Sequence, residues 1–136
     1  MATLAQVRAA LAETLGTISA GDVKAPKVFD RRPTQINTNV AVYIAEFTGR
    51  RETQSGGDLL TLPVVAVCGT LDNDAAWDIA DRFVDGDLSI VDHIDNNPSL
   101  GRDDLHASIS GDWSEVAVTI GGIELMCIQF TVTVRH

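Results

Sequence analysis

The chain has 136 residues, 45% of them hydrophobic, and a net charge of −9. That length supports one domain with a sizeable core, and that apolar content excludes a wholly disordered chain. No run approaches the roughly eighteen apolar residues of a membrane helix, and no basic start leads into an apolar stretch, so a soluble, unexported protein is expected.

Leu4, Val7, Leu11 and Leu15 recur at helical spacing behind a Thr3/Gln6 capping box and ahead of Gly16, which predicts an amphipathic N-terminal helix. From Thr17 to Asn39 the pattern weakens: Lys27–Asp30 reads as a short strand, Arg31-Arg32-Pro33 interrupts it, and Thr34–Asn39 reads as loop. Between Asn39 and Phe47, Val40, Val42 and Ile44 alternate with Ala41, Tyr43 and Ala45, a strand pattern. The polar, glycine-bearing stretch Thr48–Asp58 is too long for a tight turn and predicts a hairpin with a long mobile loop, either functional or a disordered tip.

Leu60 to Gly69 forms the next strand, and Val64–Cys68 is apolar at every position, as in a strand covered on both faces. A helix from Asp72 to Val84 follows. Ala76, Ala80, Phe83 and Val84 make its apolar stripe, widened by Trp77 and Ile79, and Asp74, Asp78, Asp81 and Asp85 line the opposite face. Asp72 and Asp74 suit its N-terminus, and Asp78 can pair with Arg82 one turn on. A short helix from Ser89 to Ile94 is announced by Ser89 with Asp92 and stopped by Asn96-Asn97-Pro98.

Leu105, Ala107 and Ile109 alternate with His106, Ser108 and Ser110, and Val116, Val118 and Ile120 repeat the device. Gly121-Gly122 supports a tight hairpin. In the last strand Met126, Ile128, Phe130, Val132 and Val134 alternate with Cys127, Gln129, Thr131, Thr133 and Arg135. The expected fold is therefore α+β in a single domain over residues 1–136. It has one mixed, largely antiparallel β-sheet, an N-terminal helix, and two helices inserted between strands and packed on one face.

The charge is unevenly spread. Ten acidic residues stand against Arg82 and Arg102 between Asp72 and Asp104, so this region carries almost the whole excess. Such a surface repels phosphate and disfavours specific nucleic-acid binding, while also serving solubility. The Asp72/Asp74 and Asp92/Asp95 pairs match no calcium-loop spacing, and His93, His106 and His136 form no metal-binding cluster. No GxSxG turn, Walker loop or GxGxxG is present, so no catalytic residue, cofactor or metal ligand is assigned. Cys68 and Cys127 read as buried thiols, with a disulfide or a reactive thiol as the alternatives. Arg31-Arg32 and Arg50-Arg51 are the only positive clusters.

The order of these elements resembles the tail terminator proteins of long-tailed bacteriophages, those of actinobacteriophages in particular. The resemblance rests on the N-terminal helix, the β-hairpin and the acidic helix Asp72-Asn-Asp-Ala-Ala-Trp-Asp-Ile-Ala-Asp-Arg-Phe. It continues through Leu88-Ser-Ile-Val-Asp-His-Ile-Asp-Asn-Asn-Pro-Ser-Leu-Gly101 and closes with the hairpin around Gly121-Gly122 and a strand running to Val134. Arg102 stands where a second glycine often follows the Leu-Gly turn, and Lys24–Asn39 matches only loosely.

The resemblance implies a structural virion protein without enzymatic activity. It would assemble in the host cytoplasm as a six-membered ring at the head-proximal end of the tail. There it would stop tube polymerisation, bind the tube protein and a neck protein, and let DNA pass without specific binding. A closed ring needs two different complementary patches per subunit. Arg50, Arg51 and Asp58 of the loop and Asp74, Asp78, Asp81, Arg82 and Asp85 of the helix are the expected contributors. The acidic region could instead line the DNA channel. A head-completion or connector protein of the same particle is the nearest rival, a small metal-dependent hydrolase or a nucleic-acid binder a more distant one.

Overall fold

The computed structural model describes residues 3–18, 27–29, 31–35, 41–45, 48–52, 57–71, 74–86 and 88–135, with the backbone alone for 48–52 and 57–58. In chain order the elements are α1 (Leu4–Leu15), β1 (Lys27–Phe29), β2 (Ala41–Ile44), β3 (Thr48–Glu52), β4 (Gly57–Thr70), α2 (Ala75–Asp85), α3 (Ile90–Asn96), β5 (His106–Ile120) and β6 (Ile123–Arg135). The strands form one six-stranded sheet in the order β1-β2-β4-β6-β5, with β3 also paired to β4. Among the described residues only β1 and β2 run parallel, and every other pair is antiparallel. The expected α+β class, with its mixed and largely antiparallel sheet, is the fold that forms.

Local chemistry places the helices where the sequence puts them. Thr3 accepts from the backbone N–H of Gln6 and the Gln6 side chain accepts from that of Thr3, a reciprocal cap that satisfies two otherwise orphaned donors of α1. Ser89 caps α3 by accepting from Asp92 N–H at 3.2 Å. Asp74 occupies the N-cap position of α2, yet its side chain makes no capping hydrogen bond, so any support it gives that helix end is electrostatic. Asp72, the other carboxylate expected there, lies outside the described residues, as does His136.

All three helices pack on one face. Val7, Leu11 and Leu15 of α1, Ala76, Ala80 and Phe83 of α2, and Ile90 and Ile94 of α3 share a core with Val64, Ala66, Ile128, Phe130 and Val132 of the sheet. Gly69 allows a close approach: at φ +154° a Cβ there would lie only 3.0 Å from the Cβ of Ala76, so α2 lies against β4 more tightly than a side chain fits without a shift of its neighbour.

The opposite face holds a second, smaller core of Tyr43, Val65, Val67, Ile120, Leu125 and Cys127. The continuous apolar run of β4 is thus explained by apolar contacts on both faces. The segment after β1 crosses toward the far edge of the sheet, where the Arg32 guanidinium donates to the Thr119 carbonyl of β5 at 2.6 Å. Thr34 and Gln35 lie against the turn at Gly121. Gly121 and Gly122 have φ of 60° and 83°, the positive pair that a two-residue hairpin between β5 and β6 requires.

Three expectations are corrected. Thr48–Asp58 is not a single long loop: Thr48–Glu52 is strand β3, paired with Gly57–Thr61 of β4. Pairing passes from β2 to β3 with a one-residue offset, Ile44 opposite Val64 and Thr48 opposite Thr61. Pro63 sits at that offset, where its carbonyl accepts from Ala45 N–H but, having no N–H, it returns no second ladder bond to Ala45.

The segments around Ala107 and Val116 are one strand, β5, interrupted by an irregularity between Ile109 and Trp113. Ala107 and Ile109 turn their apolar side toward the helices, whereas Val116 and Val118 turn it to the second core. Lastly, Trp77 does not widen the buried stripe of α2; it is 49% exposed.

Candidate functional site

That exposed tryptophan marks the site. α2 lies over β4 and β6 rather than the edge strand β5, so among the described residues no helix covers the second half of β5 on that face. The register puts Trp113 opposite Phe130 and Glu115 opposite Ile128, both of which belong to the helix-side core. Trp113 and Glu115 therefore stand on the same face as α2, across a gap from it. The result is a groove of about 440 Å³ with Trp77 on one wall and Trp113 on the other.

Its floor is Ala80, Met126 and Ile128, its α2 side includes Val84, and Asp81, Asp85, Arg82 and Glu115 surround it. Trp77 and Trp113 are 49% and 51% exposed and are the only two tryptophans in the sequence. A large aromatic left half in water on each side of an apolar floor is costly for a free surface and typical of one that receives a partner. Three carboxylates beside two aromatic faces favour a cation by charge and by cation–π attraction.

Asp74, Asp78, Asp81 and Asp85 are all exposed on α2, on the side away from Ala76, Ala80 and Phe83, as the periodicity requires. The structure brings Asp81, Arg82 and Asp85 to the groove, and leaves Asp74 and Asp78 outside it. Arg50, Arg51 and Asp58 belong to the β3–β4 arm, where Arg51 is in register with Asp58 and Arg50 with Leu59; their side chains lie outside the described residues. The arm and the groove sit toward opposite ends of β4. The arginine pair is opposite Leu59 and Asp58, and Trp113 and Glu115 lie level with Val64 and Ala66, a separation of roughly 16–26 Å along β4 at about 3.3 Å per residue.

Sequence reasoning missed Trp113, Glu115, Met126 and Ile128 as groove residues. The available signal was an aromatic set in the polar run Ser110-Gly-Asp-Trp-Ser-Glu115, where alternation predicts no buried partner.

His93 Nε2 lies 2.8 Å from the Thr14 carbonyl, to which it donates, and 2.7 Å from Thr17 Oγ1, tying α3 to the end of α1. Cys68 and Cys127 are free and buried, and burial pushes both thiols up to about 12, far from the range of a reactive thiolate. Tyr43 is also raised, chiefly by burial. Arg102 pairs with Asp104 at 3.0 Å on the surface and holds that carboxyl below its usual value. Among the described residues no three His, Cys, Asp or Glu side chains are grouped to hold a metal ion, and no helix is long and apolar enough to cross a membrane. No protein-family signature matches the chain, and no curated protein matches its sequence.

Proposed function

We propose that this chain is a structural, ring-forming joint protein of a phage-type tail, a tail terminator, with no catalytic role. The observation that carries the reading is the separation of two unlike surfaces. An acidic helix beside an aromatic groove lies toward one end of β4, and an arm bearing Arg50 and Arg51 lies at the other. Two different patches at opposite ends suit head-to-tail contacts, which close into a ring when the rotation between subunits allows it. The order of helix, hairpin, acidic helix, Pro-Ser-Leu-Gly turn and glycine hairpin supports the same reading.

In this reading the ring caps the tube and presents one face to the tube protein and the other to a neck protein. Carboxylates of the acidic region that face the central opening keep DNA from adhering as it passes, because like charge repels the phosphate backbone.

The test is native mass spectrometry of the purified chain, alone and with the tube protein of the same particle. Six-membered rings, formed alone or on the tube end, are expected. A chain that stays monomeric in both settings contradicts the reading.

A further inference from the structure

We infer that the Trp77/Trp113 groove is the receiving half of the subunit contact, and that its occupant is the β3–β4 arm of a second copy of this chain, anchored by Arg50 or Arg51. The inference deepens the ring reading and rests on it for the closure of the contact. What identifies the groove is independent of that reading: both tryptophans of the chain, each half exposed, face one apolar floor across a gap of about 440 Å³.

Charge selects the occupant. Asp81, Asp85 and Glu115 stand around the groove against the single cation Arg82, so an entering segment is favoured when it carries positive charge. A guanidinium meets both features of the site at once: its flat face stacks on an indole, and its edge donates to a carboxylate. The sequence has two adjacent arginine pairs. Arg32 of the first donates to Thr119 of its own chain, which commits that segment to the opposite side of the sheet. The second pair lies on the β3–β4 arm opposite Leu59 and Asp58, while Trp113 lies level with Val64, roughly 16–20 Å along β4 and three strands across the sheet, out of reach of a side chain. Only the arm of another copy can bring that pair to the groove, and the contact it makes is head-to-tail. Burying two half-exposed tryptophans supplies the apolar anchor that such contacts commonly have.

The experiment uses two variants of the full chain, each folded by circular dichroism. Trp77→Ser with Trp113→Ser removes the groove and keeps the arm. Arg50→Glu with Arg51→Glu reverses the arm and keeps the groove. Sedimentation velocity is measured on the wild type, on each variant and on their equimolar mixture. Because the tryptophans occur nowhere else, the emission of the arm variant reports its groove alone.

The expected result is concentration-dependent assembly of the wild type with a blue-shifted emission, and an apparent dissociation constant raised at least about tenfold in each variant alone. The mixture should restore a 1:1 complex and the blue shift, since each variant supplies the half the other lacks. Assembly of the groove variant at wild-type concentrations overturns the inference and leaves the ring reading standing on another contact. Assembly of the arm variant with a blue shift overturns the arm as occupant. A wild type that remains monomeric while a foreign arginine-rich peptide shifts its emission assigns the groove to a cationic partner and overturns the second copy.

Discussion

Trp77 on α2 and Trp113 on β5 line the same groove, although they are far apart in sequence and lie on elements that do not pair. With carboxylates of Asp81, Asp85 and Glu115 beside them, the two indoles sit in a negative local field. In dilute solution caesium should therefore quench their fluorescence several-fold more strongly than iodide, and the difference should shrink as neutral salt is raised toward 1 M. Equal quenching by both ions at low salt would place the indoles elsewhere.

The close approach of β4 and α2 depends on Gly69. Gly69→Val adds a Cβ about 3.0 Å from that of Ala76 at φ +154°, and should cost about 2–3 kcal/mol in urea unfolding. Phe83→Ala, a fully buried side chain of the same helix, should cost about 3–5 kcal/mol. Trp77→Ala, half exposed on the other side of α2, should change stability by no more than about 0.5 kcal/mol.

The cysteines give an alkaline signature. Each thiol is raised from 9.0 to about 12 in the folded chain. Between those values the unfolded chain has lost the proton that the folded chain retains, so stability is full below pH 9 and falls as pH rises toward 12. The loss approaches about 1.4 kcal/mol per pH unit per thiol. Tyr43, also raised, adds a loss of the same sign at higher pH. Denaturant midpoints at pH 8 and 10 should differ, and Cys127→Ala should remove roughly half of the difference.

His93 joins α3 to the C-terminal end of α1 through the Thr14 carbonyl and the Thr17 hydroxyl. His93→Ala should destabilise the chain by about 1–2 kcal/mol and speed hydrogen exchange at the end of α1 before it affects β4 and β6.

Most of the fold was legible because its elements carry one period each. β6 alternates cleanly since both of its neighbours fix its register, and α1 and α3 announce themselves by caps. β5 was harder. Its apolar positions change face at the irregularity between Ile109 and Trp113, so it looks like two strands when it is one. β3 was read as loop because its residues Thr-Gly-Arg-Arg-Glu are polar; they form a strand because β2 ends at Ile44 and the open edge of β4 needs a partner there. The acidic face of α2 followed from its period, but the groove did not. Periodicity gives the direction of a side chain, not how far the neighbouring sheet extends, and Trp77 is exposed because β5 lies beyond the cover of α2.

The most direct test of the account is electron microscopy of lysates from a phage or prophage with a nonsense mutation in this gene. Tails of uncontrolled, excessive length beside filled, unjoined heads are the predicted result, because nothing would stop the tube or make the joint. Normal-length free tails beside leaking or empty heads would move the protein to the head side of the neck, and intact infectious particles would contradict the account altogether.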